Sequence, residues 1–149
     1  MTLLLDTNVV SELRKRQPDR NVLAWYATVS SADLFLSVLT IGEIRLGIER
    51  LRRKDPAQAY TIEQWLRGLH AGYRDHLINV DPAVAEEWGR MNVVDPLPVI
   101  DGLLAASAKI RGWTLVTCNV PGNVGPLSSW PRAPPSPTGV TAGLGHEVP

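Results

Sequence analysis

Short apolar runs alternate with helical patterns over the first 120 residues, and this alternation constrains the fold more than any other feature. Four runs have the length and composition of buried strands, and the segments between them carry apolar residues at helical spacing. Strands separated by helices in this way indicate an α/β fold with a parallel sheet. The predicted strands are residues 2–5, 34–38, 77–80 and 113–117.

Proline and glycine mark the ends of the predicted helices. Asp55-Pro56 and Asp81-Pro82 each place a capping aspartate directly before a proline, which is typical of a helix start. Gly112 follows the last predicted helix at the position where a glycine commonly ends one. The predicted helices are residues 8–14, 21–29, 40–53, 56–70 and 83–91, and a last one that opens at Pro96 or Pro98 and runs to 110.

The composition changes near residue 120. Residues 121–149 hold seven of the twelve prolines and five of the twelve glycines, but only two charged residues, Arg132 and Glu147. Such a segment lacks the apolar periodicity needed to bury a core. We therefore predict a folded domain over residues 1–120 and an irregular or mobile tail over residues 121–149.

Charge and targeting signals exclude several classes of protein. The net charge of zero argues against a nonspecific polycation. No apolar run approaches the roughly 20 residues of a transmembrane helix, and the N-terminus lacks the basic region of a signal peptide. The single cysteine, Cys118, cannot form an internal disulfide. Together these features predict a cytoplasmic protein that does not associate with a membrane.

Three acids follow predicted strands or lie early in the next helix, namely Asp6, Glu43 and Asp101. In a parallel sheet these positions meet at the carboxyl edge, where sites form. Each acid also has a structural explanation, as a helix cap or as a charge that the helix dipole favours. Asp101 fits that explanation least, because it lies within the apolar stripe of its helix, where a lone carboxylate is costly. Converging acids favour Mg²⁺ or Mn²⁺ and metal-assisted phosphodiester hydrolysis.

Three sequence blocks strengthen this interpretation. They are residues 4–13 (LLDTNVVSEL), residues 36–47 (LSVLTIGEIRLG), and residues 101–106 (DGLLAA) with 114–117 (TLVT). In content and order they resemble the PIN-domain ribonucleases, and more specifically the VapC toxins of bacterial toxin–antitoxin pairs. The resemblance implies a three-layer sandwich with a short parallel sheet flanked by helices. It also implies an Mg²⁺-dependent (or Mn²⁺-dependent) endoribonuclease that forms a homodimer and is inhibited by a cognate VapB-type antitoxin.

The resemblance also assigns roles to individual residues. The catalytic, metal-binding acids are expected to be Asp6, Glu43 and Asp101. Four polar residues are expected to orient ligands or water around them. These are Asn8, Ser11, Thr117 and Asn119.

A basic cluster lies close to the first acid. By charge alone it is either a solvated helix end or a surface that faces phosphate. Its candidates for binding the RNA backbone are Arg14, Lys15 and Arg16. For the antitoxin we predict an apolar groove between helices 21–29 and 40–53, with Trp25 and Leu46 as contacts.

The resemblance ends after Asn119. Family members usually carry a fourth acid at the position that Gly122 occupies here, and the last strand of the family is missing from the pattern. Two hypotheses therefore stay open. The protein is either an endoribonuclease whose activity is reduced by the missing acid, or a catalytically weak or dead PIN-like module that mainly binds its antitoxin.

Overall fold

The fold is built on a sheet of four parallel strands in the order β3-β2-β1-β4, as seen in a computed structural model that describes residues 1–117. This sheet confirms the predicted α/β architecture. All four predicted strands form, with shorter ends than the sequence pattern indicates. They are β1 (Leu3–Leu5), β2 (Leu34–Ser37), β3 (Leu77–Ile78) and β4 (Thr114–Val116).

Six α-helices connect and flank these strands, and each predicted helix is confirmed. They are α1 (Thr7–Arg14), α2 (Arg20–Tyr26), α3 (Val38–Arg52), α4 (Pro56–Gly72), α5 (Pro82–Met91) and α6 (Val99–Arg111). Within residues 1–117, none of the helices combines the length and the apolar composition needed to cross a membrane.

The predicted caps set several of these boundaries. The side chain of Asp55 accepts a hydrogen bond from the Gln58 amide, and that of Asp81 accepts one from the Val84 amide. Gly112 ends α6 with a φ of 65°, a left-handed conformation that glycine adopts without a steric penalty. Of the two prolines proposed to open α6, Pro98 is the one that precedes its first turn.

The helices pack on both faces of the sheet and give the three-layer sandwich. Because side chains alternate along a strand, Leu3 and Leu5 face one layer and Leu4 faces the other. The first layer contains α1 to α4 and a core that includes Trp25, and the second is centred on Leu104 of α6.

For three of the predicted elements that end early, the structure shows a local cause. Helix α2 ends at Tyr26 because both the amide and the hydroxyl of Thr28 bond to the Trp25 carbonyl. Strand β2 ends at Ser37, whose hydroxyl accepts from the Leu39 amide and caps α3. Strand β3 ends at Ile78, the residue that pairs with Ser37 at the end of β2.

Candidate active site

The carboxyl edge of the sheet collects the predicted acids. Asp6 directly follows β1, and its amide donates to the Val116 carbonyl of β4 at 2.9 Å. Glu43 lies in α3, which begins immediately after β2, and Asp101 lies in the first turn of α6. The strand order places β1, and with it Asp6, between β2 and β4. The structure thus brings the three predicted acids within electrostatic range of one another.

Asp6 is the most deeply buried of these acids. It is 1% exposed, and its Oδ2 accepts a hydrogen bond of 2.7 Å from the Thr117 hydroxyl. Its Oδ1 is buried without a hydrogen-bond partner among the described residues. Burial raises the pKa of Asp6 to about 6, the bond from Thr117 opposes this shift, and the charge of Glu43 adds to it.

The capping explanation does not account for Asp6. The amides of Thr7 and Asn8 help to lower its pKa, but the side chain of Asp6 forms no capping hydrogen bond to α1. A buried carboxylate oxygen that lacks a partner costs free energy. Asp6 therefore offers a free oxygen ligand at the sheet edge.

Asp101 has no capping role either. It is the third residue of α6, from where an acid can reach back to the amide of the N-cap residue. That residue is Pro98, which has no N–H to donate. Asp101 is 5% exposed, and burial, followed by the charges of Asp6 and Glu43, raises its pKa to about 7. These effects outweigh the helix dipole, which would lower the pKa.

Glu43 is held by a hydroxyl that we did not predict as its partner. The Thr7 hydroxyl donates to Glu43 Oε1 at 2.5 Å, and the Thr40 hydroxyl lies 3.3 Å from that of Thr7. Thr40 is fully buried one helical turn before Glu43. Thr7 lies in the first of the three sequence blocks, between Asp6 and Asn8. That block marked the region of the site, but it did not reveal a contact with a residue 36 positions away.

The donor set fits a hard divalent cation. Within residues 1–117 no three Asp, Glu, His or Cys side chains form a ready-made metal-binding cluster. Mg²⁺ does not need one, because it commonly binds through one or two carboxylates and keeps several waters. Asp6, with its unpartnered Oδ1, and Asp101, with its raised pKa, meet this requirement.

Of the four residues predicted to orient ligands, Thr117 contacts an acid directly through its bond to Asp6. Ser11 lines a groove that also contains Glu43. Asn8 lies half-buried in the first turn of α1, next to Asp6 in sequence. Asn119 lies outside the described residues, as does Gly122, the expected fourth-acid position.

The three predicted RNA-binding residues have different surroundings in the structure. The Arg14 guanidinium lies 5.8 Å from the ring centroid of Trp65. The Lys15 ammonium is instead 2.6 Å from the buried carboxylate of Glu12. Arg16 is exposed. Arg14 is therefore the member of this cluster that faces a groove near the acids.

Two grooves, each of about 280 Å³, lie against α4. The first, called the acid-side groove, includes Thr7, Ser11, Arg14, Glu43, Gly47 and Trp65. The second, called the apolar groove, lies among α1, α2 and α4, and it includes Leu13, Leu23, Tyr26, Trp65, Leu69 and Tyr73. Burial raises the pKa of Tyr73 to about 12, which keeps this phenol neutral.

The structure corrects one of the two predicted antitoxin contacts, Trp25. Trp25 is 1% exposed and belongs to the core, so it lines neither groove. Leu46 is 50% exposed on α3 and also lines neither. The sequence pattern did not reveal these grooves, because helical periodicity does not show that α4 packs along α3 and forms a wall of both.

Without divalent cations, stability should fall as the pH rises. Asp6 and Asp101 have pKa values of about 6 and 7 in the folded protein, above their ordinary value of 3.8. The folded state therefore binds protons more tightly, and stability present below pH 3.8 is lost as the pH rises through 6 and 7. Thermal unfolding in EDTA should show a shallower decline for Asp101→Asn than for wild type. Asp95→Asn, an exposed control, should match wild type, and equal slopes in all three proteins would contradict this account.

Comparisons with known proteins agree with this architecture. The family model described as PIN domain matches residues 3–120. Toxin FitB of Neisseria gonorrhoeae is 32% identical over 122 residues, which are 77% of this chain and 86% of that protein. Ribonuclease VapC14 of Mycobacterium tuberculosis is 40% identical over 65 residues, 44% of this chain and 63% of that protein.

A solved structure shows the same likeness in three dimensions. The crystal structure of FitAcB from Neisseria gonorrhoeae superposes with a TM-score of 0.71 at 28% identity. The match covers 78% of this chain and 86% of that one. The sequence match, the strand order and the acids at the carboxyl edge point the same way, and the chain belongs to the PIN domain family.

Proposed function

We propose that this protein is a metal-dependent endoribonuclease that acts as the toxin of a toxin–antitoxin pair. The observation that carries the proposal is the burial of Asp6 and Asp101 at one sheet edge, where each carries a raised pKa. Among the described residues, no lysine, arginine or histidine forms an ion pair with either of them. Buried carboxylates without a counter-charge favour binding of a cation.

The names of relatives support the choice of substrate and of biological role. One relative is named a ribonuclease and another a toxin. The toxin is similar to this chain over 122 residues and the ribonuclease over 65 residues. We therefore assign RNA as the substrate and a phosphodiester as the bond that is cleaved.

Each residue of the site would have its own role. Asp6 and Asp101 would hold the cation, and Glu43 adds a third carboxylate that Thr7 keeps in place. Thr117 fixes Asp6 through Oδ2 and leaves Oδ1 free. A bound Mg²⁺ or Mn²⁺ would supply activation of water and neutralise the charge that develops on the phosphate. Attack of water on phosphorus expels the 3′ oxygen, which takes up a proton, and yields a 3′-hydroxyl and a 5′-phosphate.

Asp6→Asn and Asp101→Asn should each lower RNA cleavage by about 10²-fold or more, because each removes a metal-binding charge while it keeps the shape of the side chain. The assay uses purified protein, free of antitoxin, with total RNA in Mg²⁺ and then in EDTA. Wild type should cleave in Mg²⁺ only. Glu86→Gln, a change at an exposed acid on α5, is the control and should cleave like wild type. Full activity of Asp6→Asn would refute the site assignment.

A second candidate function follows from one sequence observation, the glycine at position 122. Without the fourth acid the protein would be a catalytically weak or dead module that mainly binds its antitoxin. The match to the family model ends at residue 120, close to the predicted domain boundary and to this position. The same assay separates the two candidates. Cleavage in Mg²⁺ supports the enzyme, and no cleavage together with tight antitoxin binding supports the binding module.

For the partner, we propose that a VapB-type antitoxin places an amphipathic helical segment in the apolar groove. Leu23 and Tyr26 are exposed large side chains on α2, and Leu69 and Tyr73 face them from the end of α4. A groove of this composition suits recognition of a helix by its apolar face. Arg14 and Trp65 line both grooves, so the antitoxin segment would end close to the acids. From there a cationic side chain of the partner could reach the acids and displace the metal.

Leu23→Ala and Tyr26→Ala should each weaken antitoxin binding by about fivefold or more, because exposed anchors in a groove carry much of the binding energy. Titration calorimetry with the cognate antitoxin measures the change. Leu46→Ala removes a comparably exposed side chain from α3 outside both grooves, and it should bind like wild type. Equal affinities of all four proteins would show that the antitoxin binds elsewhere.

A further inference from the structure

The acid-side groove differs chemically from the apolar groove. From α1 it receives Thr7, Ser11 and Arg14, which lie four and three residues apart and therefore share one face of the helix. Glu43 of α3 also lines it, and most of its remaining wall is apolar, including Ile48 of α3 and Trp65 of α4. The groove therefore combines a cation, two hydroxyls and the carboxylate of Glu43 with an apolar floor.

Arg14 is the cation of this groove, and its guanidinium is available to bind an anion. Its guanidinium lies 5.8 Å from the ring centroid of Trp65, within the range of a cation–π contact. No carboxylate among the described residues forms an ion pair with it, whereas the neighbouring Lys15 is paired with Glu12. A guanidinium without an ion pair keeps its N–H groups available, which suits bidentate binding of a phosphate.

The groove opens onto the candidate active site. Thr7 and Glu43 line it, and the same two residues are joined by the 2.5 Å hydrogen bond beside Asp6. A phosphate on Arg14 would therefore be a neighbour of the phosphate at the acids. A chain molecule with repeated phosphates satisfies both positions at once.

We propose that the acid-side groove binds the RNA nucleotide adjacent to the scissile phosphate, an inference that rests on the proposed ribonuclease function. Arg14 and Ser11 bind its phosphate, and its base lies on the apolar floor near Ile48 and Trp65. The volume of about 280 Å³ is at the lower end for ligand pockets, a size suited to one nucleotide. The mixed lining also favours RNA over an apolar peptide, for which the neighbouring groove is better suited.

The first test removes the cation. Fluorescence anisotropy with a 5′-fluorescein-labelled single-stranded RNA measures binding in an Asp6→Asn background, where cleavage does not interfere. Arg14→Gln should weaken binding by about tenfold or more. It should also reduce the slope of log K against log salt by about 0.7, the value for one phosphate of a single strand. Arg67→Gln changes an exposed arginine of α4 that lines neither groove, and it should leave both quantities unchanged.

The second test fills the groove without disturbing the fold. Gly47 lines the groove, and a Cβ atom added there would meet no other atom within 4 Å. Gly47→Leu should therefore keep or raise the melting temperature, since leucine favours a helix more than glycine does. It should weaken RNA binding and, in the otherwise wild-type enzyme, raise KM. Gly89→Leu on α5 is the matched control, because its added Cβ atom would also meet nothing.

The outcomes separate this inference from the function on which it rests. If wild type cleaves RNA while Arg14→Gln and Gly47→Leu bind and cleave RNA equally well, the groove does not bind the substrate, and the proposed ribonuclease activity is retained. If the two variants lose RNA affinity but wild type cleaves no RNA, the proposed ribonuclease activity is refuted, and the assignment of the groove as an RNA-binding site is retained. If Gly47→Leu loses antitoxin affinity and keeps RNA affinity, the occupant is the partner protein and the inference is overturned.

Discussion

Burial of carboxylates at one sheet edge, together with their repulsion, is the constraint on which the site depends. Asp6 and Asp101 come from elements about 95 residues apart in the chain, and each has a pKa raised by burial and by the charge of other acids. The fold tolerates this cost because the strand order fixes Asp6 between β2 and β4, and because Thr117 holds one of its oxygens. A divalent cation that binds there would offset the cost of burying these carboxylates and their mutual repulsion.

The sequence predicted the elements well because their signals are local. Asp55 and Asp81 cap helices through residues three positions away, and Gly112 ends α6 through its own φ angle. The carboxyl edge was also predictable, since parallel strands end together. Asp101 could be picked out because it lies within the apolar stripe of its helix, whereas Asp6 was indicated by its position after a strand and by the family resemblance.

The features that sequence reasoning missed are contacts between distant segments. Thr7 holds Glu43 across 36 residues, and no periodic pattern encodes that pair. The position of α4 along α3 follows from side-chain packing, which includes the ion pairs of Glu63 with Arg45 and Arg52. Neither of the two grooves described lies between α2 and α3, where the antitoxin groove was predicted. Trp25, a predicted contact, is in fact part of the core.

Direct localisation of the metal tests the central claim that Asp6 and Asp101 together form a cation site. Crystals of the protein without antitoxin, soaked in Mn²⁺ at pH 8, give an anomalous signal that locates the ion independently of any activity. The account predicts one strong peak at the carboxyl edge, bound by the free Oδ1 of Asp6 and by the Asp101 carboxylate. A peak bound by other residues, or an empty edge at saturating Mn²⁺, would contradict it.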